Sequence, residues 1–212
     1  MDSKEVLHLV IAIIIFGFAI SFLQGLNAFL LSLVIAVIVI AVNLTGKQLT
    51  ALYYSAKIEN KIWQLQRWGW YERSHFKKPI PTGILVPFTI TILSLGYVSC
   101  LTLLQIDIKP TTARVAKRKG LPRFTEMTEW QIGAIPLFGI IANLVLSLII
   151  FIFIKNIPLA TSITKFNIYY ALWNLLPIGQ LDGTKIFFGS RYLWLFLMTI
   201  SIISTIVVAF LI

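Results

Sequence analysis

Long apolar runs constrain this chain most, because each is long enough to cross a membrane as a helix. A transmembrane helix needs about 20 predominantly apolar residues. Hydrophobic residues make up 58% of the 212-residue sequence and charged residues 12%, and a soluble domain of this size cannot bury that much apolar surface. The sequence therefore predicts an all-α polytopic membrane protein, with one membrane-embedded domain over residues 1–212. The apolar runs lie at residues 6–25, 27–44, 82–106, 131–154, 163–178 and 192–212.

The net charge of +10 is concentrated in two segments between the apolar runs. Cytoplasmic loops of membrane proteins carry an excess of lysine and arginine, and tryptophan among these residues is typical of a loop that lies on lipid headgroups. We therefore expect membrane lipid as a partner, and no nucleic acid. Segment 45–80 contains Lys47, Lys57, Lys61, Arg67, Arg73, Lys77 and Lys78 with Trp63, Trp68 and Trp70, and segment 107–130 contains Lys109, Arg114, Lys117, Arg118, Lys119 and Arg123.

Segment 82–106 decides the predicted topology. If it crossed the membrane once, the two basic segments would lie on opposite sides, against the positive-inside bias. A hairpin that bends near Gly96 and returns to the same face leaves only Lys155 and Lys165, of the 18 basic residues, outside. We therefore expect five full spans plus one re-entrant hairpin, rather than six spans, with the N-terminus and basic loops cytoplasmic and the C-terminus outside. The isoleucine- and lysine-rich composition favours a prokaryotic plasma membrane.

The stretch Asn174-Leu-Leu-Pro-Ile-Gly-Gln-Leu-Asp182-Gly183 closes the 163–178 run. Asp182 is the only acidic residue after Glu129, and a carboxylate at the edge of hydrocarbon is costly unless a positive or hydrogen-bonding group meets it. One interpretation is a helix end, at which Pro177 and Gly183 stop the helix and Asp182 lies in water. The other is a functional site.

The pattern Asn-x-x-Pro-x-x-x-Leu-Asp-Gly resembles the second metal-binding motif of the site-2 protease family of intramembrane zinc metalloproteases. The resemblance implies a site-2-protease-like helical bundle, in which Asp182 corresponds to the third zinc ligand and Asn174 lies close to the substrate. Two partial matches extend it along the chain. Phe138-Gly139-Ile-Ile-Ala-Asn143 is similar to the family's Ala-Gly-Pro-x-x-Asn, and Asn43-Leu44-Thr45-Gly46-Lys47 aligns with its His-Glu-x-x-His.

The chemistry of that first motif is missing. Zinc needs two histidines one helical turn apart, a further ligand, and a glutamate that activates water. Asn43 and Lys47 stand where the resemblance places the histidines, and Leu44 stands where it places the base. The only histidines, His8 and His75, are not spaced for a zinc site. The resemblance therefore implies a proteolytically inactive member, a pseudoprotease, with no catalytic residue, no metal ligand and no zinc.

Lys47 suggests that the former site has a new electrostatic partner. An ammonium group at this position would supply the positive charge that zinc supplies in active relatives, and would let Asp182 stay ionised in a poorly solvated place. Asn43, one turn earlier, would donate a further hydrogen bond. The alternative is that Lys47 extends to the cytoplasmic surface while Asp182 caps backbone in its own turn.

We expect a protein that binds or scaffolds another membrane protein, or a transmembrane or peptide segment, in a retained cleft. Two other functions stay open. One is an active metalloprotease with unusual or partner-supplied ligands, and the other is a transporter or ion relay that uses Lys47 and Asp182. The candidate cleft residues are Asn143, Asn174, Pro177, Gln180 and Gly183.

Overall fold

Helices make up most of the chain in the computed structural model, which describes residues 3–67, 75–111, 127–154 and 157–211. The helices are α1 (Ser3–Ser21), α2 (Leu26–Tyr53), α3 (Thr82–Leu93), α4 (Glu129–Phe153), α5 (Pro158–Asn174), α6 (Asp182–Gly189) and α7 (Arg191–Leu211). The strands are β1 (Ala56–Ile62), β2 (Leu65–Arg67), β3 (His75–Ile80) and β4 (Leu104–Pro110).

Four helices in the described part of the chain are long and apolar enough to cross a membrane: α1, α2, α4 and α7. The protein is therefore membrane-embedded and helical. The fifth predicted span corresponds to α5, which has 17 residues. The count of five full spans stays a prediction.

The prediction of an all-α protein is wrong in the region after α2. The helix α2 ends at Tyr53, and Ser55 has a left-handed φ of 52°. Polar and apolar residues then alternate through β1 and β4, and a period of two suits a strand rather than a helix. β1 and β4 pair antiparallel, β2 pairs with β3, and the predicted polar link 179–191 contains α6.

Segment 82–106 has the shape of a hairpin. The helix α3 ends at Leu93, and the chain reverses through Leu95 and Gly96, whose φ values of 51° and 84° are left-handed. Both ends of the segment meet at Trp63: the Gly83 amide donates to the Trp63 carbonyl at 2.8 Å, and the Trp63 amide donates to the Leu103 carbonyl at 2.9 Å. The predicted bend near Gly96 is therefore confirmed.

Close helix packing positions the candidate site. The main apolar cluster joins α1, α2 and α5 to the returning arm of the hairpin at 101–104. α2 and α4 approach closely because small residues face each other: a Cβ on Gly46 would lie 2.7 Å from the Phe138 carbonyl oxygen. Small residues at helix interfaces of membrane proteins permit such contact between backbones.

Several of the predicted basic and aromatic loop positions lie outside the described residues. They are Trp68, Trp70, Arg73, Arg114, Lys117, Arg118, Lys119, Arg123 and Lys155.

Candidate functional site

A buried lysine–aspartate pair joins α2 to the start of α6. Lys47 on α2 places its Nζ 2.5 Å from Oδ2 of Asp182, the first residue of α6, and both residues have 0% relative exposure. The expected pairing is confirmed, and the alternative in which Lys47 extends to the surface is wrong. The position of Asp182 at the start of α6 also suits a negative charge, because the N-terminal end of a helix carries a partial positive charge.

Gly139 on α4 makes room for the lysine. A Cβ at this position would lie 2.7 Å from Cγ of Lys47 and 2.9 Å from the carbonyl oxygen of Asn43. The three motif regions that the resemblance singled out, on α2, on α4 and at the start of α6, therefore meet at one place. The site lies where the sequence predicted a former metal centre.

Two buried asparagines on the same helices lack hydrogen-bond partners in the described structure: Asn43, one turn before Lys47 on α2, and Asn143, one turn after Gly139 on α4. Within the described residues, neither side-chain atom of Asn43 or Asn143 makes a hydrogen bond, and both residues are fully buried. The expected hydrogen bond from Asn43 to Asp182 is absent. Unpaired buried polar groups are rare in proteins, since each carries a desolvation penalty of roughly 1–3 kcal/mol. The site therefore has polar capacity beyond the lysine–aspartate contact.

Electrostatic attraction, rather than a well-aligned hydrogen bond, links Asp182 to Lys47. Its contact with Lys47 is an ion pair by distance, yet neither carboxylate oxygen has a hydrogen-bond donor in suitable geometry among the described residues. Two opposite charges 2.5 Å apart attract each other whatever the angle at the donor. Oδ1 stays available to a further donor.

Asn174 is anchored to backbone. Its Nδ2 donates to the Tyr170 carbonyl at 2.8 Å and to the Leu101 carbonyl at 3.4 Å, whereas Oδ1 has no partner in the described structure. The side chain therefore ties the end of α5 to the returning arm of the hairpin. Leu44, at the position of the lost base, is half-buried and packs against the main apolar cluster.

The remaining predicted cleft residues occupy different environments. Pro177 is exposed, and Gln180 is exposed at a turn where its Oε1 accepts from Nε2 of Gln105 on β4 at 2.9 Å. Gly183 is buried where a Cβ would overlap the Leu175 carbonyl oxygen, so it serves close packing. Pro177 and Gln180 therefore lie at the surface, whereas Gly183 lies inside the packed structure.

Sequence reasoning missed Lys185. Its Nζ donates to the Gln180 carbonyl at 3.0 Å, and burial lowers its pKa while the Asp182 carboxylate opposes that shift. The available signal was spacing: a residue three positions after Asp182 lies on the same face of a helix. Asp182 therefore interacts electrostatically with two lysines: Lys47, which contacts it, and Lys185.

The described part of the chain offers few side chains for a metal centre. It contains no group of three or more His, Cys, Asp or Glu side chains that is able to hold a metal ion. His8 lies on α1 and His75 on β3. The predicted lack of zinc is not settled by this finding and stays a prediction.

No family model, curated protein or solved structure matches the chain. Membership of the site-2 protease family therefore stays a prediction that rests on the motif residues of α2, α4 and α6.

Proposed function

We propose that the chain is a site-2-protease-like membrane protein without peptidase activity, and that it binds another membrane protein or a transmembrane or peptide segment. The single observation that carries this proposal is the buried contact between Lys47 and Asp182. The Lys47 amine occupies the position beside the Asp182 carboxylate at which a bound metal ion would lie.

Distance supports replacement of a metal rather than coexistence with one. A zinc ion bound to a carboxylate lies about 2.0–2.2 Å from the oxygen. The Lys47 Nζ is already 2.5 Å from Oδ2 of Asp182, and Gly139 packs closely against the aliphatic part of the Lys47 side chain. Because two cations repel each other at such separations, a zinc ion bound to Oδ2 of Asp182 requires Lys47 to leave.

Rebuilding the first motif tests this proposal. The triple substitution Asn43→His, Leu44→Glu and Lys47→His restores two imidazoles one helical turn apart and a carboxylate between them. We expect about one zinc per chain in the triple variant and far less than one in the wild type, measured by mass spectrometry of the purified proteins.

The control for this experiment is the triple variant with Asp182→Asn added, which removes the remaining zinc ligand and is expected to lose the metal. Cleavage of a membrane-anchored reporter is measured in parallel. Stoichiometric zinc or cleavage in the wild type contradicts the absence of peptidase activity. A triple variant that folds without binding zinc contradicts the alignment of the motifs.

The pairing of β1 with β4 supports a common side for both basic segments. Lys57 and Lys109 are direct Cα partners in this sheet, whereas Ile157 follows α4, which is long enough to span. We propose that the N-terminus and the basic segments face the cytoplasm and that Ile157 and the C-terminus lie outside, in a prokaryotic plasma membrane.

Cysteine labelling tests the topology. In a Cys100→Ser background, Lys57→Cys and Lys109→Cys are expected to react with a membrane-impermeant maleimide only after the cell is opened. Ile157→Cys, whose parent side chain is 53% exposed, is expected to react in intact cells. Reaction of positions 57 and 109 from opposite sides would contradict the re-entrant hairpin.

An ion relay is a second candidate, favoured by the buried ion pair and by the unpaired buried amides of Asn43 on α2 and Asn143 on α4. Ionisable groups inside a membrane domain often mark ion or proton pathways. If the chain conducts, proteoliposomes that contain it will show an ion or proton flux that Asp182→Asn reduces at least tenfold. Flux equal to that of empty liposomes removes this candidate.

A further inference from the structure

A cavity lies away from the lysine–aspartate pair, at one end of the helical bundle. It has a volume of about 720 Å³ and lies between the start of α1, the end of α2 and β1. This volume falls within the range of typical ligand sites, roughly 300–1,000 Å³. The polar residues that line it include Lys4, Glu5, His8, Gln48, Lys57 and Lys61.

The acidic side chains of this cavity are already engaged. Oε1 of Glu5 accepts hydrogen bonds from both the backbone amide and Nδ2 of Asn60, at 3.1 and 2.8 Å. Both carboxylate oxygens of Glu59 accept from Nζ of Lys109, at 3.2 and 3.1 Å. The charge of Glu59 is therefore balanced by Lys109, whereas Glu5 keeps its negative charge although one of its oxygens is occupied by Asn60.

Cations are in excess among the cavity's charged groups without an ion pair, because Lys4 and Lys57 outnumber Glu5. Lys4 and Lys57 have no carboxylate within 4.0 Å among the residues that the structure describes, although the third lysine, Lys61, pairs with Asp107 at 2.5 Å. Nδ1 of His8 is buried and has no hydrogen-bond partner in the same residues. The first turn of α1 also lines the cavity, and a helix N-terminus favours negative charge.

Apolar surface continues from the cavity along the two helices. Leu7 and Val10 on α1 and Leu49 and Leu52 on α2 are all exposed. Both helices are long enough to span a membrane, so the cavity lies at the end of a spanning pair, where headgroups are found. Basic pockets between membrane helices bind the headgroups of anionic lipids.

We propose that this cavity binds a phosphate group, carried either by an anionic phospholipid or by a small soluble phosphate. Lys4 and Lys57 supply the charge, and Nδ1 of His8 supplies a hydrogen-bonding group. The apolar faces of α1 and α2 accept the acyl chains when the phosphate belongs to a lipid.

Native mass spectrometry of the full chain in detergent tests the site with phosphatidylglycerol and phosphatidylcholine as probes. We expect the wild type to bind phosphatidylglycerol about tenfold more tightly than phosphatidylcholine. The double variant Lys4→Gln, Lys57→Gln is expected to lose most of this preference, since each lysine near an anionic headgroup contributes several-fold in affinity. Lys77→Gln, Lys78→Gln removes the same charge from exposed positions of β3 and is expected to change the affinity less than twofold.

A titration with inorganic phosphate, followed by phosphorus NMR, distinguishes the two sources. Phosphate binding that the Lys4/Lys57 variant abolishes identifies a soluble ligand, whereas lipid binding without phosphate binding identifies a headgroup. Equal losses in the two double variants would overturn the proposal, because they indicate non-specific attraction. The wild type alone also decides: equal binding of the two lipids together with no phosphate binding overturns the proposal even if a variant fails to fold.

Discussion

Substitution of Lys47 by methionine is expected to lower the free energy of unfolding by about 3–5 kcal/mol, because it leaves the buried Asp182 carboxylate without its counter-charge. Both members of the pair are fully buried, and their charged atoms lie 2.5 Å apart. Methionine keeps an unbranched side chain that is only one atom shorter, so most of the loss reflects charge rather than volume. Unfolding in mixed detergent micelles, followed by circular dichroism, measures this free energy.

A double-mutant cycle separates the pair from its surroundings. Asp182→Asn alone is also expected to be strongly destabilising, whereas Lys47→Met with Asp182→Asn is expected to recover much of the loss, since replacement of both ions of a buried pair is often nearly neutral. Single losses that simply add in the double variant would show that the two side chains do not interact.

The pair of Lys61 with Asp107 provides a matched control. Its charged atoms are also 2.5 Å apart, but the two side chains are 38% and 35% exposed. Because water screens such a pair, we expect Lys61→Met to cost at most about 1 kcal/mol. The hydrogen bond that Lys61 donates to Asp107 is the chief cause that raises the pKa of Lys61. The contribution of the Lys61–Asp107 pair to stability is therefore present at neutral pH and is lost only as the pH rises above the ordinary lysine pKa.

Gly183→Ala is the second substitution with a large expected effect. A Cβ at this position would overlap the carbonyl oxygen of Leu175 and crowd that of Leu176, and backbone atoms cannot move aside as a side chain does. We expect destabilisation of about 1–3 kcal/mol or more, together with displacement of Asp182 from Lys47. The same unfolding assay measures the first effect.

Gly17→Ala is the control for added volume. Its Cβ would lie 2.8 Å from Cδ2 of Leu33, which is the end of a flexible side chain, so the cost is expected to stay below about 1 kcal/mol. Alanine also has the better helix propensity at both positions. Equal stability of the Gly183→Ala protein and the wild type would contradict the close packing of α6 against the end of α5.

The lysine–aspartate contact was predictable from sequence because an unpaired charge in an apolar environment is costly. An acid beside an apolar run needs a partner, and Lys47 was the basic residue that the motif alignment placed opposite Asp182. The amide of Asn43 was harder to place. Its position on α2 fixes the direction of its side chain only approximately, and the structure leaves it beside the pair without bonding to Asp182.

The strands were missed for a different reason. The apolar helix α2 runs directly into the alternating pattern of β1, and the partner of β1 lies more than 40 residues away in β4. A two-stranded pair depends on this long-range contact, which local periodicity does not reveal. The hairpin was predictable because the two basic segments that flank it favour the same side of the membrane, which is a signal independent of local sequence pattern.

Metal analysis of the wild-type protein, purified from its native membrane without chelators, tests the central claim most directly. If the Lys47 ammonium replaces a metal ion beside Asp182, zinc will be far below one equivalent per chain and will not rise on dialysis against zinc. One zinc per chain, lost on substitution of Asp182→Asn, would contradict the account.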